Sequence, residues 1–206
     1  MQPMRTRQSP APTSIGAPGR RRWTIGDAVR ESQPWHRAVA LTGTLIALAS
    51  SLLGPLPITT AITMCLLVPA ALVDVVDRRL PDRMVLAAAG VGLAALWVEV
   101  AAGAFDVARS GIALGALAMA GPLLVLHLLA PSAMGFGDVK TASVAGAALG
   151  LFDPMLGLVA IMLGSAMAAT IGLVRRQRSV AFGPGLVGGS ILAMALTPII
   201  LHGGTR

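Results

Sequence analysis

Asp138 lies in the turn Gly135-Phe136-Gly137-Asp138-Val139-Lys140, between two strongly apolar segments. Asp74 closes the apolar run Met64 to Val73 in similar fashion. A carboxylate at a membrane boundary is costly to place, and such residues are functional by default. Two of them suggest an acid/base pair. One carboxyl holds a proton, the other accepts one, and a water between them is activated against a peptide carbonyl with no covalent intermediate and no metal. The two settings differ in the way such a pair needs. Asp138 opens a helix, where negative charge is favoured, and Asp74 ends one, where it is not.

The neighbouring residues have competing readings. Gly135 and Gly137 let a helix or an extended substrate approach the main chain closely. Asp138 itself could simply cap its helix. Asp77 shares a helix face with Asp74 and rivals it for the first position, unless it pairs with Arg78, Arg79 or Arg83. Asp82, after Pro81, is an N-cap or turn residue, or a group that positions substrate. Lys140 binds substrate, steadies Asp138, or is an interfacial cation. The other acids are read as bystanders: Asp27 and Glu31 as solvated charges, Glu99, Asp106 and Asp153 as caps or interface charges at the far helix ends. His36, His127 and His202 are scattered and nothing resembles H-E-x-x-H, so no metal and no cofactor is expected. The single cysteine, Cys65, rules out an internal disulfide framework.

The elements that must hold these residues are membrane helices. The chain has 206 residues, is 55% hydrophobic and only 12% charged. That composition predicts an all-α, polytopic bundle of about 6–7 spanning helices in the lipid bilayer. Apolar runs mark helices near 38–54, 58–74, 84–102, 108–130, 139–151, 154–174 and 184–201. The fifth is short, and is expected to be tilted or buried within the bundle. Gly111, Gly115 and Ala118 suit close helix contact. Asp153-Pro154 reads as an N-cap followed by proline in the first turn, and Phe182-Gly183-Pro184 enters the last helix in the same way. Residues 1–36 read as a basic, disordered tail, with a short interfacial helix over 24–37. Residues 37–206 form one membrane-embedded domain. The net charge of +7 excludes a nucleic-acid binder by its distribution, because the basic residues flank apolar segments. With the N-terminus inside and seven alternating spans, every Lys and Arg except Arg109 and Arg206 falls on the cytoplasmic side, and so do Asp74 and Asp138.

At these residues the chain resembles the type IV prepilin peptidases, the GxGD class of intramembrane aspartyl proteases. Val73-Asp74 followed by Leu80-Pro81-Asp82 is similar to the family's aspartate with a downstream LPD. Gly135 to Lys140 is similar to its GxGD-x-K element, and Phe182-Gly183-Pro184 to the FGP of a late helix. The resemblance implies catalytic roles for Asp74 and Asp138, with Asp77, Asp82, Gly135, Gly137, Lys140, Phe182, Gly183 and Pro184 in support or in substrate binding. It implies an enzyme of the inner membrane that removes the short basic leader of prepilin or pseudopilin precursors at the cytoplasmic face. Without Cys-x-x-Cys motifs, a peptidase lacking methyl transfer is expected. Val76 stands where the family commonly carries a second carboxylate. The readings left beside it are a transporter or proton relay built on the same two aspartates, and an inactive homologue that assists assembly.

Overall fold

The computed structural model describes residues 26, 30, 32–53, 56–77, 80–103, 109–131, 134–176 and 181–203. Within them the chain is all-helical, with seven helices in the order expected from the apolar runs: α1 Pro34–Leu52, α2 Ile58–Asp77, α3 Asp82–Ala101, α4 Arg109–Leu129, α5 Phe136–Gly150, α6 Met155–Arg175 and α7 Gly183–Gly203. Four stretches are long and apolar enough to cross a membrane: Ile58–Val76, Asp82–Ala101, Ser110–Leu129 and Met155–Arg175; Gly183–Pro198 is apolar but shorter. The protein is a helical membrane bundle.

Helix ends account for the differences from the expected ranges. Residues 34–36, expected in the tail, form the first turn of α1, where Pro34 is pre-set for a helix start. The Gln33 N–H donates to His36 Nδ1 at 3.2 Å and closes that turn. Residues 24, 25, 27–29 and 31 of the expected interfacial helix, with Asp27 and Glu31 among them, and Arg20 to Arg22, Arg78, Arg79 and Asp106 lie outside the described residues. Pro69, Pro122 and Pro198 sit inside α2, α4 and α7 rather than ending them. In a tightly packed bundle neighbouring helices and polar side chains satisfy the carbonyls that such prolines free.

The short fifth helix is the centre of the bundle. α5 has 15 residues, about 22 Å at ~1.5 Å per residue, and packs against α2, α3, α4, α6 and α7. A helix surrounded in this way needs small side chains. Val139, Ala142, Ala145, Gly146, Ala148 and Gly150 are buried on it. Its closest partner is α4, where Gly115 and Gly146 face each other so tightly that a Cβ on either would press into the other's backbone. The Thr60 hydroxyl on α2 donates to the Ala148 carbonyl at 2.8 Å and ties α5 to the core from the other side.

The end of the bundle away from Asp74 and Asp138 is tied by side chains that accept from helix-start amides. There the Glu99 carboxylate, on α3, accepts from the Ile58 N–H at 2.8 Å and from the Thr59 N–H and hydroxyl, capping the start of α2. The N-cap of α6 is Pro154 rather than the expected Asp153, one residue later, and the Asp153 carboxylate accepts from the Met155 N–H at 2.8 Å beside that start. The other end carries the last turn of α2, the first turns of α3, α5 and α7, and the residues of interest.

Candidate active site

Asp74 is 5% exposed in the last turns of α2. Burying a carboxylate requires donors. One comes from across the bundle: the Gly183 N–H, first in α7, donates to Asp74 Oδ2 at 3.1 Å. The C-terminus of α2 disfavours a charge here, and the N-terminus of α7 offsets it. A Cβ at 183 would stand 2.7 Å from Asp74 Oδ2, so any larger residue there displaces the carboxylate.

Asp138 occupies the first turn of α5, three residues after the N-cap Gly135. The N-cap position belongs to Gly135, so Asp138 is not the N-cap of this helix. Asp138 is half-buried. Its carboxyl is pushed up to about 6, first by burial and then by the negative charge of Asp74, the reverse of the expectation from its place at a helix start, because burial outweighs the helix end. The two aspartates line one cavity of about 340 Å³, together with Leu80, Asp82, Gly135, Phe136, Gly137 and Lys140.

Lys140 does not reach for Asp138. Its ammonium pairs with Asp82 Oδ1 at 2.8 Å, tying the first turn of α5 to the first turn of α3. Both partners are well exposed, so the pair adds only ~0.2–1 kcal/mol to stability and matters chiefly for placement. The Lys140 ammonium also lies 5.4 Å from the centre of the Phe136 ring. The His127 ring lies 5.5 Å from the same Phe136 ring, and its Nδ1 is 3.0 Å from the Met134 carbonyl.

The sequence-nominated residues thus gather as follows. Asp74, Asp82, Asp138, Lys140, Gly135 and Gly137 share the cavity, and Gly183 touches it through Asp74. Phe182 packs on the apolar core, and its carbonyl accepts from the Leu186 N–H in the first turn of α7, which also contains Pro184. Asp77 ends α2, and its side chain lies outside the described residues. Sequence reasoning missed Leu80 as a wall of the cavity and Gly183 as the donor to Asp74. Among the described residues no group of three His, Cys, Asp or Glu side chains is arranged to hold a metal.

The model of the type IV leader peptidase family matches residues 61–173. The chain belongs to the type IV leader peptidase family. The matched stretch covers more than half of the sequence and holds all three cavity aspartates, Asp74, Asp82 and Asp138, while the Phe182-Gly183-Pro184 turn lies beyond it. No curated protein and no solved structure matches the chain.

Proposed function

We propose that this membrane peptidase is an aspartyl endopeptidase in which Asp74 and Asp138 are the catalytic pair. The observation that carries the reading is that two carboxyls from sequence-distant helices line one cavity, one of them with its proton affinity raised toward neutrality. Asp74, with the α7 amide on it, carries the charge and takes a proton from the attacking water. Asp138 holds the proton that the carbonyl oxygen needs as the tetrahedral intermediate forms, and the pair returns a proton to the leaving amine. Asp82, Lys140 and the glycines of the turn support and align this cavity.

The substrate class follows from the family: prepilin or pseudopilin precursors, cut after a short basic leader at the cytoplasmic face. A cavity opening beside helix ends suits a scissile bond that precedes an apolar helix lying in the bilayer. The test is to incubate the purified protein in lipid nanodiscs with a prepilin-type precursor and to measure product masses. Release of the leader with a single cut after its terminal glycine supports the reading. An intact precursor, with solute or proton flux through the same protein in vesicles, would replace it by the relay reading.

A further inference from the structure

Leu80, in the short connection between α2 and α3, touches both carboxylate-bearing regions. It is half-buried, lines the cavity, and stands apart from the buried apolar core. Its Cβ is 3.2 Å from the position a Cβ on Gly137 would take, and Cδ1 and Cδ2 are each 3.2 Å from that on Gly183. The two glycines form a notch, and the leucine side chain fills it. Each is one step from a carboxylate: Gly137 precedes Asp138 in the chain, and Gly183 donates to Asp74.

We propose that Leu80 is a positioning residue whose side chain, wedged between Gly137 and Gly183, sets the separation and orientation of the Asp74 and Asp138 carboxylates. The proposal rests on the reading of these two as the catalytic pair. A leucine suits this task. It is bulky enough to keep two backbone segments apart, and it offers no polar atom to compete for either carboxylate. It also keeps water from one side of the pair. The Lys140–Asp82 ion pair ties neighbouring segments together, but an exposed pair between flexible side chains does not hold a distance to tenths of an ångström.

The full-length protein in nanodiscs, with a prepilin-type precursor, tests this through Leu80→Ala, Leu80→Val and Leu80→Met beside Asp74→Asn. Leu80→Ala is expected to lower kcat about 10–100-fold while KM stays within about twofold, the signature of misplaced reacting groups. Leu80→Val falls between, and Leu80→Met, which refills the notch, keeps most of the rate. The alkaline limb of kcat/KM should move to lower pH in Leu80→Ala as water reaches Asp138. The charged groups facing the cavity, Asp74 on α2, Asp82 on α3 and Lys140 on α5, are the same in all three variants. If Leu80→Ala does not accumulate, Val against Met at equal thermal stability carries the same comparison. A wild-type rate and pH profile in Leu80→Ala, or equal losses in Ala and Met, overturns the proposal while an inactive Asp74→Asn leaves the catalytic pair standing. Cleavage by Asp74→Asn would instead remove the pair itself.

Discussion

Asp74 and Asp138 meet the same problem, a carboxyl away from water, with different solutions. Asp74 takes a backbone donor from another helix. Asp138 takes none for a cap and holds its proton up to about 6, through burial and the nearby charge. The sign of the pH dependence follows. If one proton on the pair is needed, the competent form is full below about 6 and is lost as pH rises through it. The kcat/KM profile of the free enzyme should therefore show an alkaline limb centred near 6 and falling about tenfold per pH unit beyond it. A flat profile from about pH 5 to about pH 8, a range that spans the raised value, would contradict the assignment. A second prediction at this scale concerns Gly183. Gly183→Ala brings a Cβ against Asp74 Oδ2 and should lower cleavage about 100-fold, measured against membrane abundance that stays near wild type. The two aspartates were legible in the sequence because a charge in an apolar chain stands out. Gly183 as a donor and Leu80 as a wedge were not, because each acts on a residue far away in the chain, and an amide or a leucine carries no local sign of its partner.

At the scale of the elements, close backbone contact lets a central helix as short as α5 sit at the middle of the bundle and present Asp138 to Asp74. In lipid, helices gain little from hydrophobic exclusion and associate through packing. Gly115→Leu would force α4 and α5 apart where their backbones touch. Overpacking of this kind costs about 1–3 kcal/mol, visible as a lower thermal midpoint in detergent and a parallel loss of activity. An unchanged midpoint would mean that the contact is slack. The seven helices were legible from apolar runs and breakers, and Gly111, Gly115 and Ala118 were rightly read as contact residues. What composition could not show was where α1 and α5 begin. Their first turns, from Pro34 and Phe136, are set by local hydrogen bonding and the cap at Gly135 rather than by hydrophobicity. The internal prolines carry the same lesson, since a helix packed on several sides tolerates a break that an isolated one does not.

At the scale of the whole molecule, α2, α3, α5 and α7 bring their site-bearing ends to one side, where the C-terminus of α6 and the N-terminus of α1 also meet: the Arg175 guanidinium lies 5.1 Å from the Trp35 ring. Among the described residues Arg37, Arg83, Lys140, Arg175 and Arg176 belong to this side and Arg109 to the other, the asymmetry on which the proposed cytoplasmic site rests. A protein with Cys65 replaced and a single cysteine at Leu53, which is 89% exposed at the other end, should react with an impermeant maleimide in intact spheroplasts. A single cysteine at Arg176 should react only after lysis, and the reverse pattern would turn the molecule over. Charge counting yields an orientation, which this labelling tests, whereas the meeting of helix ends around one cavity depends on packing that no local pattern records. The central claim is that Asp74 and Asp138 work as one catalytic unit. The most direct measurement is leader release, followed by mass, from a prepilin-type precursor co-expressed with wild type, Asp74→Asn or Asp138→Asn at matched membrane abundance. The account predicts cleavage by wild type only; full cleavage by either single variant would contradict it.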